Sequence, residues 1–349
     1  MSESRWRVAV VFGGTSMERD VSVASAAQVI TALRSRGHRV VAVDAARGVL
    51  SEAEEAKSLT EGVDRTPPER LAAQSDNVLG ALLGAGTFED FDLAFLALHG
   101  GSGENGTVQA MLGAANVPFT GTGLLGSALA MDKDISKRLF RGLGVPTADW
   151  VMAERADEAQ IAALGLPVIV KPNAQGSTVG LTLVRSVGEL ESAIALARGF
   201  DSEVMLERYV PGRELTVGVL DGEALSVGEI IPAHGGLFDY TSKYQVGGAE
   251  EVFPADIDSA TAARAQELAV TVNTALKIEC YCRVDFRLDP EGRLWCLEAN
   301  TLPGMTSGSL LPRSAAASGI DFPTLCERIC ELALERAGVS QSSEGPSAA

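Results

Sequence analysis

Two predicted strands close to residue 290 constrain the fold of this chain most strongly. Over residues 282–287, charged side chains alternate with apolar ones, which is the two-residue period of a strand. A second apolar run, at 294–297, leads into an acidic residue. Between the two runs, residues 288–293 contain the Asp, Pro and Gly that are typical of a hairpin turn. The sequence therefore predicts an antiparallel hairpin in this region.

One face of this hairpin carries oxygen ligands. Antiparallel pairing brings Asp285 close to Glu298 and Asn300, and these last two share a face because they are two residues apart on a strand. Two carboxylates and one amide suit a hard cation such as Mg²⁺, and Arg283 adds a positive charge on the face of Asp285. A metal ion and an arginine stabilise transferred phosphoryl groups in many enzymes. The alternative is a solvated hairpin face, and the Asn-Thr-Leu-Pro-Gly segment after the second strand favours a site over it.

The N-terminal part of the chain predicts a parallel sheet. An apolar strand at 7–12, a helix from about residue 17 to Leu33 and a second strand at 39–43 form a β-α-β unit. The turn after the first strand contains Gly13 and Gly14, but the sequence lacks the G-x-G-x-x-G pattern of dinucleotide sites. We therefore expect a parallel sheet with a different ligand.

Three polar side chains of this part follow predicted strands. Glu18 follows the first strand, and His99 and Glu104 follow a buried strand at 92–98. Ligands of parallel sheets bind at the carboxyl ends of the strands, so these residues are candidates for a site. For His99, a purely structural hydrogen bond is the alternative.

The middle of the chain predicts a loop that binds phosphates. We expect a helix at 125–143, followed by antiparallel strands at 166–172 and 181–184. The loop between these strands, 173–180, is rich in glycine and hydroxyl side chains and can close over phosphates with its N–H groups. It is not a P-loop, because no Gly-Lys-Ser/Thr follows and no helix begins there.

The last part of the chain predicts a nucleotide connector, more strands and a lid. A strand at 203–207 precedes a connector at 208–212, whose main chain can bind adenine. The elements expected after it are strands at 214–220 and 224–231, a mobile loop at 234–248, and helices at 260–276 and 322–336. Long loops flanked by glycines often act as lids in enzymes. We expect residues 340–349 to be disordered because they are small and polar.

The net charge, the apolar segments and the cysteines argue against a nucleic-acid partner, a membrane location and a zinc or disulfide framework. The net charge of −17 and the pI of about 4.7 oppose binding to nucleic acid, which needs a basic surface. We expect a cytoplasmic protein, because no apolar segment is long enough to span a membrane and no signal-peptide core precedes the first strand. The five cysteines occur late in the chain, and their odd number and spacing favour small buried residues over disulfides or a zinc site.

Taken together, these motifs resemble the D-alanine–D-alanine ligases of the ATP-grasp superfamily, over residues 8–337. The motifs that carry the resemblance are Gly13-Gly14-Thr15-Ser16-x-Glu18-Arg19, Leu98-His99-Gly100 with Gly103-Glu104, Met131-Asp132-Lys133, Val170-Lys171-Pro172, Gly176-Ser177, Tyr240 with Lys243-Tyr244, Arg283-x-Asp285, and Glu298-x-Asn300-Thr-x-Pro-Gly304-Met-Thr-Ser-x-Ser309-Leu310. Each motif alone is weak, whereas their combination is specific.

The resemblance implies an α/β fold with three domains. An N-terminal parallel-sheet domain that binds substrate, 1–122, is followed by two ATP-grasp domains of α+β type, which sandwich the nucleotide. These are a small central domain, 123–212, and a C-terminal domain with the metal site, 213–339. Residues 340–349 form a tail.

The resemblance also implies a role for each matched residue. Two Mg²⁺ ions, for which Mn²⁺ can substitute, are bound by Asp285, Glu298 and Asn300. The ATP-binding residues are Lys133, Lys171, Glu207, Val210, Glu214 and Lys243. The catalytic residues are Glu18, Ser177, Tyr244, Arg283 and Ser309. The substrate-binding residues are His99, Gly304 and Leu310.

The implied reaction joins two D-alanine molecules at the expense of ATP, through an acyl phosphate, for peptidoglycan synthesis. The implied partners are D-alanine and ATP, without nucleic acid or membrane, in a homodimer. One alternative is a related ligase with another acceptor, such as D-serine or D-lactate, or one that serves a secondary pathway. Another is a non-catalytic nucleotide-binding regulator, which the presence of all the matched charged residues opposes.

Overall fold

The structure is a computed structural model that describes residues 6–16, 18–60, 75–232 and 249–338. The strands in these ranges form three sheets. The whole of the expected lid at 234–248, including the candidate residues Lys243 and Tyr244, lies outside the described residues, and so does the expected tail.

The first sheet belongs to the N-terminal part of the chain. Its elements are β1 (Arg7–Phe12), α1 (Arg19–Ser35), β2 (Arg39–Asp44), β3 (Gly48–Val49) and β4 (Leu93–Leu96). The strand order is β3-β2-β1-β4, and β1 pairs in parallel with both β2 and β4, which confirms the predicted parallel pairing, while the two-residue β3 pairs antiparallel with β2. Residues 8–12 are fully buried, which explains why β1 is an unbroken apolar run.

Three short helices surround this sheet: α2 (Glu52–Thr60), α3 (Ser75–Gly84) and α4 (Thr107–Ala114). The apolar and β-branched residues at 117–120 also favour a short strand, but the structure has only an isolated bridge there, between Ala94 and Phe119. The Thr120 hydroxyl accepts a hydrogen bond from the Leu96 N–H at 2.9 Å, where the next main-chain pair of a longer ladder would form. The hydroxyl therefore ends the pairing after one bridge.

The helix predicted at 125–143 is in fact two helices, α5 (Leu124–Met131) and α6 (Lys133–Gly142). Asp132 between them has extended backbone angles, and its carboxylate accepts a hydrogen bond from the Ile135 N–H at 3.0 Å. Aspartate is among the residues most favoured at a helix N-cap. This cap starts a new helix and places Lys133 at its first position.

The second sheet is antiparallel throughout. Its elements are β5 (Trp150–Met152), α7 (Glu158–Leu164), β6 (Val168–Pro172), β7 (Thr182–Val184), α8 (Leu190–Arg198) and β8 (Val204–Arg208). The order is β5-β8-β6-β7. Strands β6 and β7 flank the glycine-rich loop and pair antiparallel, as the sequence predicted. Strand β5 and helix α7 were not predicted.

The third sheet contains the predicted hairpin. Its elements are β9 (Arg213–Leu220), β10 (Glu223–Pro232), β11 (Ala249–Val252), α9 (Ser259–Ala275), β12 (Tyr281–Leu288) and β13 (Leu294–Asn300). The strand order is β11-β10-β9-β12-β13. Strands β12 and β13 pair antiparallel, which confirms the hairpin.

The chain returns to its N-terminal part at the end. Two helices follow the hairpin, α10 (Leu310–Ala317), which was not predicted, and α11 (Phe322–Arg336), whose predicted bounds are confirmed. Leu325 and Ile329 of α11 are buried in the same apolar cluster as β1 and β4. The last helix therefore completes the core of the first sheet.

All five cysteines are free thiols, and four of them are buried as the sequence predicted, while Cys280 is half-buried. Burial raises the pKa of Cys282 and Cys296, so both thiols stay protonated at neutral pH. None of the helices in the described ranges combines the length and the apolar character that a membrane span requires.

Candidate active site

A β-bulge places the two carboxylates of the hairpin on the same face. Asp285 lies directly opposite Glu298, and Arg283 lies opposite Asn300. The register shifts by one residue at Leu297, between these pairs and the regular pairs nearer the turn. Without that extra residue, Asp285 would lie opposite Leu297, and Glu298 would point to the other face. The sequence predicted the proximity of these side chains but not the bulge that produces it.

Both carboxylates of this face have cationic partners. Asp285 accepts hydrogen bonds from Arg283 Nη2 at 2.8 Å and from Thr216 Oγ1 at 2.7 Å. Lys133 Nζ lies 3.3 Å from Glu298 Oε2. The Asn300 side-chain oxygen accepts a hydrogen bond from the Leu302 N–H at 3.0 Å and keeps a second lone pair. The donor set, two carboxylates and one amide oxygen, fits a hard divalent cation.

A cavity lies beside this face, between the second and third sheets. It is lined by five of the six residues predicted to bind ATP, namely Lys133, Lys171, Glu207, Val210 and Glu214. The sixth, Lys243, lies outside the described residues. Gly176 and Thr178 of the glycine-rich loop also line it. The Lys133 ammonium donates a hydrogen bond to the Gln175 carbonyl oxygen at 2.7 Å and so ties α6 to this loop.

Glu207 lies between two lysines in this cavity. Lys171 Nζ donates to Glu207 Oε2 at 2.7 Å, and Lys137 Nζ donates to Glu207 Oε1 and, at 2.6 Å, to the Thr147 hydroxyl. Burial alone would raise the pKa of Glu207, but the two ammonium groups outweigh it and lower that pKa to about 2. Glu207 is therefore ionised at all ordinary pH values.

Lys137 is a functional candidate that the sequence reasoning missed. Its side chain is fully buried, and burial lowers its pKa although Glu207 acts in the opposite direction. Lys137 lies one helical turn after Lys133 on α6, so both lysines point to the same side of the helix. That spacing on an amphipathic helix was the signal available in the sequence.

A second cavity, of about 670 Å³, adjoins the first. It brings together predicted residues from distant segments of the chain, namely Glu18, His99, Ser177, Arg283, Glu298, Asn300, Gly304, Ser309 and Leu310. Among the residues that were assigned to catalysis, only Tyr244 lies outside the described ranges. Both cavities are lined by Lys133, Gln175, Gly176 and Glu298, so they meet at these residues.

The glycine-rich loop contacts the N-terminal part through Ser177. Its hydroxyl donates a hydrogen bond to Glu18 Oε1. Ser177 and Thr178 have φ angles of 50° and 63°, in the left-handed region that costs energy for residues other than glycine. Such strain is found at ligand sites, and here it accompanies the contact between Ser177 and Glu18.

His99 has a structural hydrogen-bond role and also lines the second cavity. Its Nδ1 lies 3.0 Å from the Leu302 carbonyl oxygen, which only accepts, so Nδ1 carries the proton. Nε2 then accepts from the Ser25 hydroxyl at 3.1 Å, and Ser25 Oγ accepts from the Met305 N–H at 3.1 Å. His99 and Ser25 thus hold both ends of the turn that contains Gly304.

The end of this turn leads into helix α10. Ser309 is the N-cap residue, and its hydroxyl accepts a hydrogen bond from the Thr306 N–H at 3.2 Å. A Cβ atom at Gly304 would lie 2.9 Å from Ser309 Oγ, so any larger residue here would displace that hydroxyl. The N-terminus of α10 therefore faces the second cavity with Ser309 and Leu310, at the end of the helix that favours anions.

Over almost its whole length, the chain is similar to known proteins of a single family. The family models for the D-ala D-ala ligase N-terminus and C-terminus match residues 7–122 and 139–331. The D-alanine--D-alanine ligase of Synechococcus sp. (strain JA-2-3B'a(2-13)) is 40% identical over 339 residues, which are 96% of this chain and 95% of that protein. That of Gloeobacter violaceus is 39% identical over 334 residues, which are 94% of this chain and 100% of that protein.

Two solved structures share the fold at TM-scores well above chance. A D-alanine--D-alanine ligase from Bacillus anthracis complexed with ATP has a TM-score of 0.76 and 31% identity, covering 95% of this chain and 99% of that one. A D-Ala:D-Ser ligase from Enterococcus faecalis has a TM-score of 0.78 and 30% identity, covering 95% and 100%. With both family models and relatives at this identity over nearly their full length, the chain belongs to the D-alanine–D-alanine ligase family, and its fold is the ATP-grasp fold of that family.

Proposed function

We propose that this protein joins two D-alanine molecules into D-alanyl-D-alanine at the expense of ATP, for peptidoglycan precursor synthesis. We call the first cavity the nucleotide cavity and the second cavity the substrate cavity. The observation that carries the proposal is that these two cavities meet at Lys133 and Glu298. A terminal phosphate in one cavity and a substrate carboxylate in the other can therefore come into contact beside a cation and a metal-ligating carboxylate.

The first cavity binds ATP in this proposal, and the Bacillus anthracis ligase, with the same fold, forms a complex with ATP. Glu207, Val210 and Glu214 hold adenine and ribose. Lys133, Lys171 and Lys243 contact the phosphates under the loop that contains Ser177. Lys137 balances the charge of Glu207, so that Lys171 is available to a phosphate.

Asp285, Glu298 and Asn300 would hold two Mg²⁺ ions, or Mn²⁺ in their place. When bound, the ions neutralise phosphate charge, which lowers the barrier to attack by an anionic carboxylate. Arg283 stays beside Asp285 and keeps one positive charge at the reacting centre.

The first D-alanine occupies the second cavity. Glu18 pairs with its ammonium, Ser177 and Tyr244 form hydrogen bonds around it, and His99 lies beside it. One carboxylate oxygen of this D-alanine attacks the γ-phosphorus, and the bond to the β–γ bridging oxygen breaks as ADP leaves. The product is an acyl phosphate, held where it formed.

The second D-alanine binds with its carboxylate at Ser309, Leu310 and the N-terminus of α10. Its neutral amine attacks the acyl carbon, the tetrahedral intermediate loses phosphate, and the proton released from the nitrogen passes to the departing phosphate. Arg283 and the Gly304 N–H stabilise the oxyanion, and one such donor lowers a barrier by about 3–4 kcal/mol. Positioning and electrostatics carry the reaction, so the enzyme supplies no covalent nucleophile.

We also propose three domains, with boundaries at 122/123 and 212/213, because the strands of each sheet fall within one of these ranges. We place the reaction in the cytoplasm, where ATP is supplied. The homodimer that the resemblance implies belongs to the same proposal, and the mass of the protein in solution tests it.

A second candidate acceptor is D-serine, because the D-Ala:D-Ser ligase from Enterococcus faecalis has a similar fold at 30% identity. Relatives at 38–40% identity that are D-alanine–D-alanine ligases favour D-alanine. The test is incubation with ATP, Mg²⁺ and D-alanine, with D-serine or D-lactate added as competitors, and identification of the product by mass. D-Alanyl-D-alanine as the main product is expected. If the main product instead contains D-serine or D-lactate, that compound is the acceptor in place of the second D-alanine. ATP binding without phosphate release would favour a non-catalytic nucleotide-binding regulator.

A further inference from the structure

Arg287 lines the nucleotide cavity but has no part in the reaction described above. It lies on β12, two residues after Asp285, so both side chains point to the same face of the strand. Its side chain is 10% exposed, which is rare for an arginine unless its donors are satisfied.

The guanidinium group of Arg287 donates hydrogen bonds to three acceptors, two on the connector at 208–212 and one on the adjoining strand β9. Nε donates to the Val210 carbonyl oxygen at 3.2 Å, and Nη2 donates to the Gly212 carbonyl oxygen at 2.7 Å. Nη1 donates to Glu214 Oε2 at 3.3 Å. Val210 and Glu214 are two of the residues proposed to hold adenine and ribose, so one guanidinium group fixes both.

The connector is also pressed against the end of β12. Gly212 has a φ of 123°, and a Cβ atom at this position would overlap the carbonyl oxygen of Leu288. This close approach requires glycine, and it leaves the connector carbonyls within reach of Arg287. Because the connector joins β8 of the second sheet to β9 of the third, its position sets where the nucleoside lies relative to Asp285.

We propose that Arg287 is a positioning residue for the nucleoside of ATP, acting through Val210 and Glu214. The inference rests on the proposed nucleotide site and adds a residue to it. Without the guanidinium, two carbonyl oxygens each lose one donor and Glu214 loses one ion pair, so the connector and the carboxylate are held less firmly. The loss should appear in nucleotide binding, since the groups that contact the acyl centre remain in place.

The test compares Arg287→Met and Arg287→Lys with the wild type in calorimetric titration with Mg-ADP and in steady-state kinetics. For Arg287→Met we expect ADP binding to weaken at least about tenfold and KM for ATP to rise by a similar factor. We expect kcat at saturating ATP and KM for D-alanine to stay within about twofold. Arg287→Lys keeps the charge and one donor direction, so its affinity for ADP should lie between that of the wild type and that of Arg287→Met.

Arg213→Met is the matched control. Arg213 lies in the same sheet, donates to Glu229 at 2.6 Å and to the Asp256 carbonyl oxygen at 2.8 Å, and does not line the nucleotide cavity. Arg213→Met removes an arginine–glutamate pair of the same sheet in which the arginine is more exposed, 42% against 10%, and it should leave ADP binding unchanged. In a Glu214→Gln background, Arg287→Met should weaken ADP binding less than it does in the wild type, because part of its effect passes through Glu214.

The outcomes separate the two proposals. ADP binding that is unchanged in Arg287→Met, or weakened equally by Arg213→Met, would overturn the role of Arg287 and leave the proposed function intact. An equal loss in kcat and in kcat/KM would also overturn it, because the residue would then act at the reacting centre. A wild-type protein that binds no adenine nucleotide would overturn the proposed function itself.

Discussion

Glu207 is the carboxylate that balances the cations in the nucleotide cavity. It is buried, and each of its oxygens accepts a hydrogen bond from a lysine, Lys137 on one side and Lys171 on the other. Breaking a buried pair by removing one partner usually costs more than the pair contributes, because the remaining charge stays in the interior. Three charges in one buried cluster therefore make this residue sensitive to both mutation and pH.

The pKa of Glu207 predicts the acid sensitivity of the fold. Because its folded-state pKa is about 2 and its ordinary value is 4.5, the ionised group stabilises the folded protein above about pH 4.5. This contribution is lost as the pH falls from about 4.5 towards 2. In urea unfolding, the wild type should lose stability more steeply over this window than Glu207→Gln. Parallel pH profiles for the two proteins would contradict the assignment.

Glu298 is the residue on which the metal-site proposal depends most. Glu298→Ala removes a proposed metal ligand and should reduce dipeptide formation by at least about a thousandfold, since a bound metal ion stabilises transition-state charge directly. Glu291→Ala, on the exposed turn of the same hairpin, is the control and should retain wild-type turnover. Near-normal turnover of Glu298→Ala in a dipeptide assay would refute the metal assignment.

At the scale of secondary-structure elements, short interruptions of helices and strands determine where the site residues lie. Asp132 interrupts a run that would otherwise continue as one helix, and it puts Lys133 at the start of α6. Its carboxylate also accepts a hydrogen bond from the Asn173 side-chain amide at 2.9 Å, at the beginning of the glycine-rich loop. The cap therefore aligns the helix with the loop that lies over the nucleotide cavity.

Asp132→Ala should affect stability and nucleotide binding together. Loss of the cap should lower the free energy of unfolding by about 1 kcal/mol, and KM for ATP should rise severalfold because Lys133 loses its fixed position. Asp258→Ala is the matched control, because Asp258 caps α9 with a hydrogen bond from the Thr261 N–H at 2.9 Å and lies outside both cavities. The role of Asp132 in placing Lys133 is wrong if both variants raise KM for ATP equally, or if neither does.

At the scale of the whole molecule, the ends of the chain hold the site together. Helix α11 completes the core of the first sheet. The hydrogen bonds of His99 and Ser25 join that sheet and α1 to the turn that contains Gly304. The position of the proposed oxyanion donor is thus set by two residues whose hydrogen bonds span 203 and 280 positions of the chain.

Ser25→Ala tests this long-range support. The change removes the donor to His99 and the acceptor for Met305, and each lost hydrogen bond is worth about 1 kcal/mol. We expect kcat to fall about tenfold with KM for ATP unchanged, measured by coupled assay at saturating D-alanine. Ser35→Ala, on the same helix with a hydroxyl that donates only to the Ala32 carbonyl oxygen, should behave like the wild type. A changed KM for ATP, or an unchanged kcat, in Ser25→Ala would contradict the proposed support.

Periodic patterns predicted much of the fold, because strands and amphipathic helices repeat their apolar residues at fixed intervals. The hairpin and α11 illustrate this. The bulge at Leu297 and the break at Asp132 could not be predicted in the same way, and for Lys137 the helical spacing indicates the side of the helix but not the pairing with Glu207. Each depends on one register shift, one hydrogen bond or one buried partner from a distant segment, and none of these leaves a repeating pattern in the sequence.

Isotope transfer from the first substrate tests the proposed reaction most sharply. D-Alanine labelled with ¹⁸O in its carboxylate is incubated with the enzyme, ATP and Mg²⁺, and the released phosphate is analysed by mass spectrometry. Because an acyl phosphate transfers one carboxylate oxygen to phosphorus, we expect one ¹⁸O atom in each phosphate formed together with D-alanyl-D-alanine. Unlabelled phosphate accompanying the dipeptide would contradict the acyl-phosphate route.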